Sequence, residues 1–285
     1  MLYVVGTPIG NLGDVTLRAL ETLRSVDFIC AEDTRVTLRL LSHFEIKKPL
    51  VSYHEHNKLE RGPEIVARLQ KGESCALVSD AGMPGISDPG EHLIGLCIGN
   101  DVPYTVIPGP VAFVTGAVMS GFPTGEITFM GFVPQKKKDS AEFMERLKAK
   151  TGTVCVYSAP HDIVGTLKLL RGTVPSRRLA LARELTKIHE EVLRGTAEEL
   201  IAYYENTQPR GEYVIVIGPP DSLSGDGLSP AGDAAEVDIA GFLKKVDGYL
   251  ESGMKRNDAL KAAAADFGLK RKEAYDLYQG ALDEQ

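Results

Sequence analysis

Several short runs of this 285-residue chain gather polar or backbone-shaping residues directly after a β-rich stretch. The first, Gly6-Thr7-Pro8-Ile9-Gly10-Asn11-Leu12-Gly13, is a glycine-rich turn of the kind that brings backbone close to a phosphate or a cofactor. A dinucleotide fingerprint needs glycine where Pro8 stands. Proline has a fixed φ and no N–H, so the turn is a poor pyrophosphate cradle and reads as another sort of cofactor turn or as a plain connection. The second run, Ala31-Glu32-Asp33-Thr34-Arg35, sets two carboxylates, a hydroxyl and a guanidinium in a row. A helix cap by Asp33 or Thr34, with Glu32 paired to an arginine, explains it as well as a site does. His54-Glu55-His56-Asn57 is a third polar cluster; its two histidines have no evident third ligand, so no metal is expected. The longest run is Ser79-Asp80-Ala81-Gly82-Met83-Pro84-Gly85-Ile86-Ser87-Asp88-Pro89-Gly90, where glycines and prolines hold a loop open beside Asp80. Asp88 and Pro89 also read as the cap and first residue of a following helix. Pro108-Gly109-Pro110-Val111-Ala112 is a further rigid turn that opens a helix. These runs carry turn formers instead of a catalytic triad or a metal cluster. That points to a site that positions a reactive cofactor and does little covalent chemistry itself.

The elements that must position these runs alternate strand and helix over residues 1–133, the pattern of a parallel α/β sheet whose ligands lie at the carboxyl ends of the strands. Residues 2–5, 28–31, 50–53, 76–79, 104–107 and 127–130 read as strands of this unit. Asp14 is the expected cap of the helix that carries Leu17, Leu20 and Leu23, and Gly72 the expected stop of the one that carries Ile65 and Leu69. Pro134-Gln135-Lys136-Lys137-Lys138 reads as a basic hinge into a second α/β unit, residues 134–218. Its strands are expected at 154–158, 179–183, 191–194 and 213–217 and its helices at 140–150, 163–170 and 197–206. A hairpin around residues 186–189 makes this sheet mixed. Residues 219–238, rich in Gly, Pro, Ser, Ala and Asp, read as a flexible linker. Residues 239–285 read as a small helical module of helix-turn-helix character. In it Phe242, Val246 and Leu250 share a face, Asn257 caps the next helix, and a last helix spans 272–282.

Composition bounds the function further. With 43% hydrophobic and 25% charged residues the chain has the makeup of a globular protein, and no apolar run approaches the roughly 20 residues of a membrane span. The amino terminus lacks the order of a signal peptide, so a cytoplasmic protein is expected. Cys30, Cys75, Cys97 and Cys155 are spaced as buried free thiols rather than as zinc ligands or a redox pair. A net charge of -7 argues against non-specific coating of nucleic acid, so any RNA contact must be local. Lys136, Lys137 and Lys138, together with Lys255, Arg256, Lys261, Lys270, Arg271 and Lys272, are the candidate RNA-contact residues; an ordinary solvated helical face explains the second group equally well.

The runs from Thr7 to Leu12, Ala31 to Arg35 and His54 to Asn57, with Leu77-Val78-Ser79-Asp80-Ala81-Gly82-Met83-Pro84, Pro108-Gly109-Pro110 and Leu181-Ala182-Arg183-Glu184-Leu185-Thr186-Lys187, resemble the tetrapyrrole-methylase superfamily. Within it they are similar to the branch that 2′-O-methylates a decoding-centre cytidine of 16S ribosomal RNA. The resemblance runs from residue 2 to about residue 218 and implies two α/β domains with a cofactor cleft between them. It also implies that S-adenosylmethionine meets Pro8, Ile9, Asp80, Met83, Val111 and Ala112 from one domain and Ser158 and Leu185 from the other. The implied partners are 16S rRNA within the 30S subunit and a second copy of the chain. One departure stands out: where the family places a glutamate before, and an arginine after, a proline and histidine, this chain has Ser158 and Asp162 around Pro160 and His161. Transfer to a ribose hydroxyl is helped by a general base. Asp33 and His54 are the candidates, with Arg35 and Asn57 orienting substrate. A tetrapyrrole C-methyltransferase, or a ribosome-assembly factor of weakened activity, are the alternative readings.

Overall fold

The computed structural model describes residues 1–220, 239–251, 254–266, 274 and 278. Three tetrapeptides, β1 (Leu2–Val5), β2 (Phe28–Ala31) and β4 (Cys75–Val78), are apolar at nearly every position because both of their faces are covered. With β3 (Leu50–Ser52) and β5 (Tyr104–Ile107) they form a parallel sheet in the order β3-β2-β4-β1-β5. Between them run α1 (Leu17–Ser25), α2 (Thr34–His43), α3 (Lys58–Gln70) and α4 (Gly90–Gly99), and α5 (Ala112–Ser120) follows β5. Alternate strand residues feed two cores. Leu2, Phe28 and Leu77 pack with Ile65 and Leu93 on one face, and Val5, Ile29 and Ala76 with Leu23 and Leu41 on the other. All five strands point the same way, so the loops after them open on one edge.

Several local expectations shift: Pro89 is the N-cap of α4 and not its first residue, and Asn257 lies inside the helix Arg256–Asp266 instead of capping it. Asp14 ends a short 3-10 turn that begins at Leu12, because the Asn11 side chain accepts from Gly13 N–H and tightens the chain there. The cap of α1 is therefore Thr16, whose hydroxyl accepts from Ala19 N–H. The larger change concerns β6 (Ile127–Phe132), read from sequence as part of the first unit. It pairs instead with β7 (Thr153–Ser158) in a second sheet. The cause lies in α5, where a Cβ on Gly116 would stand 2.9 Å from the Val214 side chain. Glycine there, with the fully buried Ala117, lets α5 lie flat on the second sheet. The chain leaves α5 through Gly121 in the left-handed conformation and is already over that sheet when β6 begins.

The second sheet runs β6-β7-β10-β8-β9, with β8 (Leu179–Arg183), β9 (Glu191–Gly195) and β10 (Tyr213–Ile217). It is mixed, as expected: β6 and β7 are parallel, β10 runs against β7 and β8, and β8 and β9 form an antiparallel pair. Helices α6 (Lys137–Lys148), α7 (Ile163–Thr173) and α8 (Ala197–Asn206) cover one face through Phe143, Leu147, Leu167 and Leu200. A capping box between Thr196 and Glu199 starts α8. Arg177 has no signature in the sequence, yet it is 3% exposed and donates to the backbone carbonyls of Lys150, Gly152 and Gly218.

All four cysteines are buried and free, and Cys30 and Cys75 meet across β2 and β4 with their sulfurs 3.3 Å apart. Among the described residues no helix is long and apolar enough to cross a membrane. The chain divides into two compact units, Met1–Leu228 and Ser229–Gln285. In the second, α9 (Ile239–Glu251) and α10 (Arg256–Asp266) bury Phe242, Val246, Leu260 and Ala263 around Ala274 and Tyr278. Most of the expected linker and of the last helix, with Lys270, Arg271 and Lys272, lie outside the described residues.

Candidate active site

The loop after β1 touches two other loops at distances only glycine allows. A Cβ on Gly6 would stand 2.8 Å from the Gly109 Cα, and one on Gly10 would stand 2.8 Å from the Leu185 carbonyl oxygen. Thr7 and Gly82 exchange backbone hydrogen bonds of 2.9 and 3.1 Å, which ties the β1 loop to the loop after β4. Gly82 adopts φ +84°, a conformation that costs glycine little. The Asp88 carboxylate accepts from Gly85 and Gly90 N–H and so folds the rest of that loop back onto the start of α4. Glu184 and Thr186 also have positive φ, 50° and 65°, and place the loop after β8 opposite the β1 turn.

These loops enclose a hollow of about 480 Å³, within the usual size of a small-molecule site. Ile9, Asp80, Met83, Val111, Ala112, Ser158 and Leu185 all line it, although they come from both sheets. Pro8 does not line it and acts on the turn instead. The N-cap residue of α5 is Val111, which has no side-chain acceptor, so of the first-turn N–H groups the Val111 side chain caps none and Phe113 N–H turns to the Tyr157 hydroxyl. Tyr157 closes another side, its ring against Phe129 and Phe132 and its hydroxyl accepting from Phe113 N–H.

The charge of the lining is acidic. Glu32, Asp80, Asp88, Glu184 and Glu212 all contribute, against a single lysine, Lys187, which lies 2.9 Å from Glu184 and 3.7 Å from Glu212. Glu32 differs from the rest. Burial and then the neighbouring Asp80 push its carboxyl above the ordinary value, while a hydrogen bond from the Asp80 backbone and the His54 ring oppose the shift. Among the described residues it has no arginine partner of the kind the sequence allowed.

Asp33, one residue on, is turned elsewhere. It caps α2 by accepting from Arg35 N–H at 2.8 Å and pairs with the Arg35 guanidinium at 2.6 Å, which together hold its carboxyl at about 2. Its own N–H donates to Asp80 at 2.9 Å. The Asn57 side chain accepts from His54 N–H and donates to the Ser52 carbonyl, so both of its polar ends are occupied within its loop. None of Asp33, Arg35, His54 and Asn57 lines the hollow, whereas Glu32 does. His54 keeps a buried Nδ1 with no partner among the described residues. Among the described residues no group of three His, Cys, Asp or Glu side chains is arranged to hold a metal ion. Sequence reasoning missed Glu32 and Tyr157 as lining residues, and took only Leu185 from a run that also supplies Glu184 and Lys187.

Comparison with known proteins completes the picture. Residues 1–201 match the family model of the tetrapyrrole (corrin/porphyrin) methylases. The chain is 40% identical over 278 residues to ribosomal RNA small subunit methyltransferase I of Synechocystis sp., covering 97% of this chain and 96% of the relative. It is 40% identical over 281 residues to the Bacillus subtilis protein of the same name, covering 98% and 94%. Among solved structures it is similar to a diphthine synthase, with a TM-score of 0.62 at 13% identity over 77% of this chain and 90% of that one. A uroporphyrin-III C-methyltransferase of Thermus thermophilus has a TM-score of 0.54 at 20% identity over 76% and 93%. These two likenesses concern the fold, whereas the two full-length matches go further: the chain belongs to the tetrapyrrole methylase family, to its ribosomal RNA small subunit methyltransferase I group, and is a methyltransferase.

Proposed function

We propose that this protein transfers the methyl group of S-adenosylmethionine to the ribose 2′-hydroxyl of a cytidine in 16S rRNA within the 30S subunit. The observation that carries the reading is the acidic hollow between the two sheets, with one carboxylate of raised proton affinity in its wall. S-adenosylmethionine, when bound, supplies an electrophilic methyl on a sulfonium that leaves as a neutral thioether. A wall of carboxylates with apolar patches from Ile9, Met83, Val111 and Leu185 suits a cation of that kind. The amino end of α5, where Val111 offers no side-chain cap, suits a ligand carboxylate. Pro8 and Gly82 hold the turn that lets backbone reach the ligand.

Glu32 accepts the proton of the ribose hydroxyl. A base works best when its pKa approaches the operating pH, and burial moves Glu32 in that direction while the Arg35 pair moves Asp33 away. His54 favours the ionised form of Glu32, and Arg35, with its guanidinium 85% exposed, is placed to meet RNA phosphate beside the hollow. Further phosphate contacts come from Lys136, Lys137 and Lys138 in the first unit and from the exposed Lys255, Arg256 and Lys261 in the second. The protein works in the cytoplasm as a homodimer. Tyr104 and Val106 on edge strand β5, with Val114 and Val118 on α5, are the exposed apolar residues that support pairing with a second copy.

Mapping 2′-O-methylation on 16S rRNA from cells with and without the protein tests the reading. Loss of the modification at one cytidine is expected. Methylation of uroporphyrinogen with none of the RNA, or failure of a calorimetric titration to detect S-adenosylmethionine binding, overturns it.

A further inference from the structure

A second hollow, of about 740 Å³, lies on the second sheet among α6, α7 and the segment that joins β6 to α6. The chemistry above makes no use of it. It adjoins the first hollow at two points: Phe132 lines the first and Val133 the second, and Pro160 lines the first and His161 the second. Consecutive Cα atoms stand about 3.8 Å apart, so these two stretches form a common wall. A ligand strand that fills one hollow therefore has the other directly beside it.

The chemistry of the wall suits a nucleobase better than a phosphate. Met144 and Leu169 give it apolar surface, and the exposed His161 ring stands at its mouth. Glu142 and Asp162 are acceptors that repel a phosphate and pair with exocyclic amino groups. Ser140 also lines the hollow; it is 6% exposed, and its hydroxyl has no partner among the described residues. At its edge, Lys136 caps α6 and Lys137 and Lys138 occupy the first turn, with Lys137 itself part of the lining. Cations there are opposed by the helix dipole, and among the described residues none of the three is in a salt bridge, so an anion at that point is favoured.

We propose that this hollow is a subsite for an unstacked, amino-bearing RNA base next to the methylated nucleotide, with the lysines at the start of α6 on the adjoining phosphate. The base stacks on His161 and the apolar wall, and Glu142 and Asp162 accept from its amino group, which selects against uracil. Splayed single-stranded bases held in this way are the usual route to sequence-specific RNA recognition. The inference rests on RNA being the substrate.

Gly165 provides the test. It lines the hollow from α7, and a Cβ there meets nothing within 4 Å, so Gly165→Leu can enter the space without a clash at its root. Leucine also suits a helix better than glycine, so the melting temperature should hold or rise. The expected result is unchanged S-adenosylmethionine affinity and kcat, with KM for 30S subunits raised at least about fivefold, as loss of one stacked base implies. His161→Ala should raise KM as well, and His161→Phe, which keeps a stacking ring, should restore it. A KM for Gly165→Leu within about twofold of the parent overturns the subsite and leaves the proposed function standing. A parent protein that methylates no RNA overturns both.

Discussion

Replacing Glu32 by Gln separates the two adjacent carboxylates of the Ala31 to Arg35 run. Gln keeps the size of the side chain but cannot take up a proton. A positioned general base contributes about a hundred- to ten-thousand-fold, so kcat should fall by that factor, or roughly 2.7 to 5.4 kcal/mol in the barrier. Asp33→Asn should behave differently. Asparagine caps a helix as well as aspartate, and the Arg35 pair it loses is mostly solvated and contributes little, so the structure should hold and kcat should stay within about threefold. The pH profile sharpens the contrast. The rate of the parent should climb with pH through the Glu32 pKa, which lies above the ordinary 4.5, and this limb should persist in Asp33→Asn and vanish in Glu32→Gln. Stability has its own sign. A carboxyl whose folded pKa is raised has no effect below the unfolded pKa, destabilises the fold progressively as pH rises from there through the folded pKa, and does so fully above it. Glu32→Gln should therefore raise the melting temperature at alkaline pH and leave it unchanged in acid. Single-turnover methyl transfer to 30S subunits at saturating donor is the assay. A Glu32→Gln enzyme with kcat near the parent, or an Asp33→Asn enzyme as impaired as Glu32→Gln, refutes the assignment of the base.

Three other outcomes are expected from the same structure. Arg177→Met should cost about 3 to 5 kcal/mol in urea unfolding, because the carbonyls of Lys150, Gly152 and Gly218 lose their buried donor; a loss below about 1 kcal/mol would show that water replaces it. Val118→Asp places a charge on a side chain 66% exposed, so light scattering should report a folded monomer, and a persistent dimer would move the interface elsewhere. The double variant Lys255→Glu, Lys261→Glu should weaken RNA binding and make its dependence on salt shallower by about 0.7 to 0.9 for each phosphate no longer neutralised, with donor affinity unchanged; an unaltered slope would remove the second unit from the RNA interface.

Much of the scaffold was legible because its signals are local. Continuous apolar tetrapeptides such as Cys75–Val78 mark strands covered on both faces, and the residues that follow them, Gly6, Asp80, Gly109, fall on one edge as soon as the strands are parallel. The assignment of β6 failed for a reason that is not local. Its own residues fit either sheet, and the choice is made by α5, where Gly116 opposite Val214 sets which sheet the helix lies on. Arg177 was invisible for a similar reason: three carbonyls from two distant turns give a buried cation its place, and no spacing in the sequence announces them.

The proposed base shows the limit most clearly. Glu32 and Asp33 are neighbours of nearly the same chemistry, and the sequence offers no ground for preferring one. Their difference arises where β2 ends. Asp33 is the residue at which the chain turns into α2, so its carboxylate is drawn to the Arg35 amide and guanidinium and loses basicity. Glu32 precedes the turn and faces the hollow, where Asp80 approaches from β4, 47 residues along the chain from Asp33. Proximity to that second carboxylate, together with burial, converts an ordinary glutamate into one that holds a proton more tightly. The proton affinity of Glu32 thus belongs to the pairing of β2 with β4 and not to either strand, so a motif can mark the carboxylates but cannot say which of them is the stronger base.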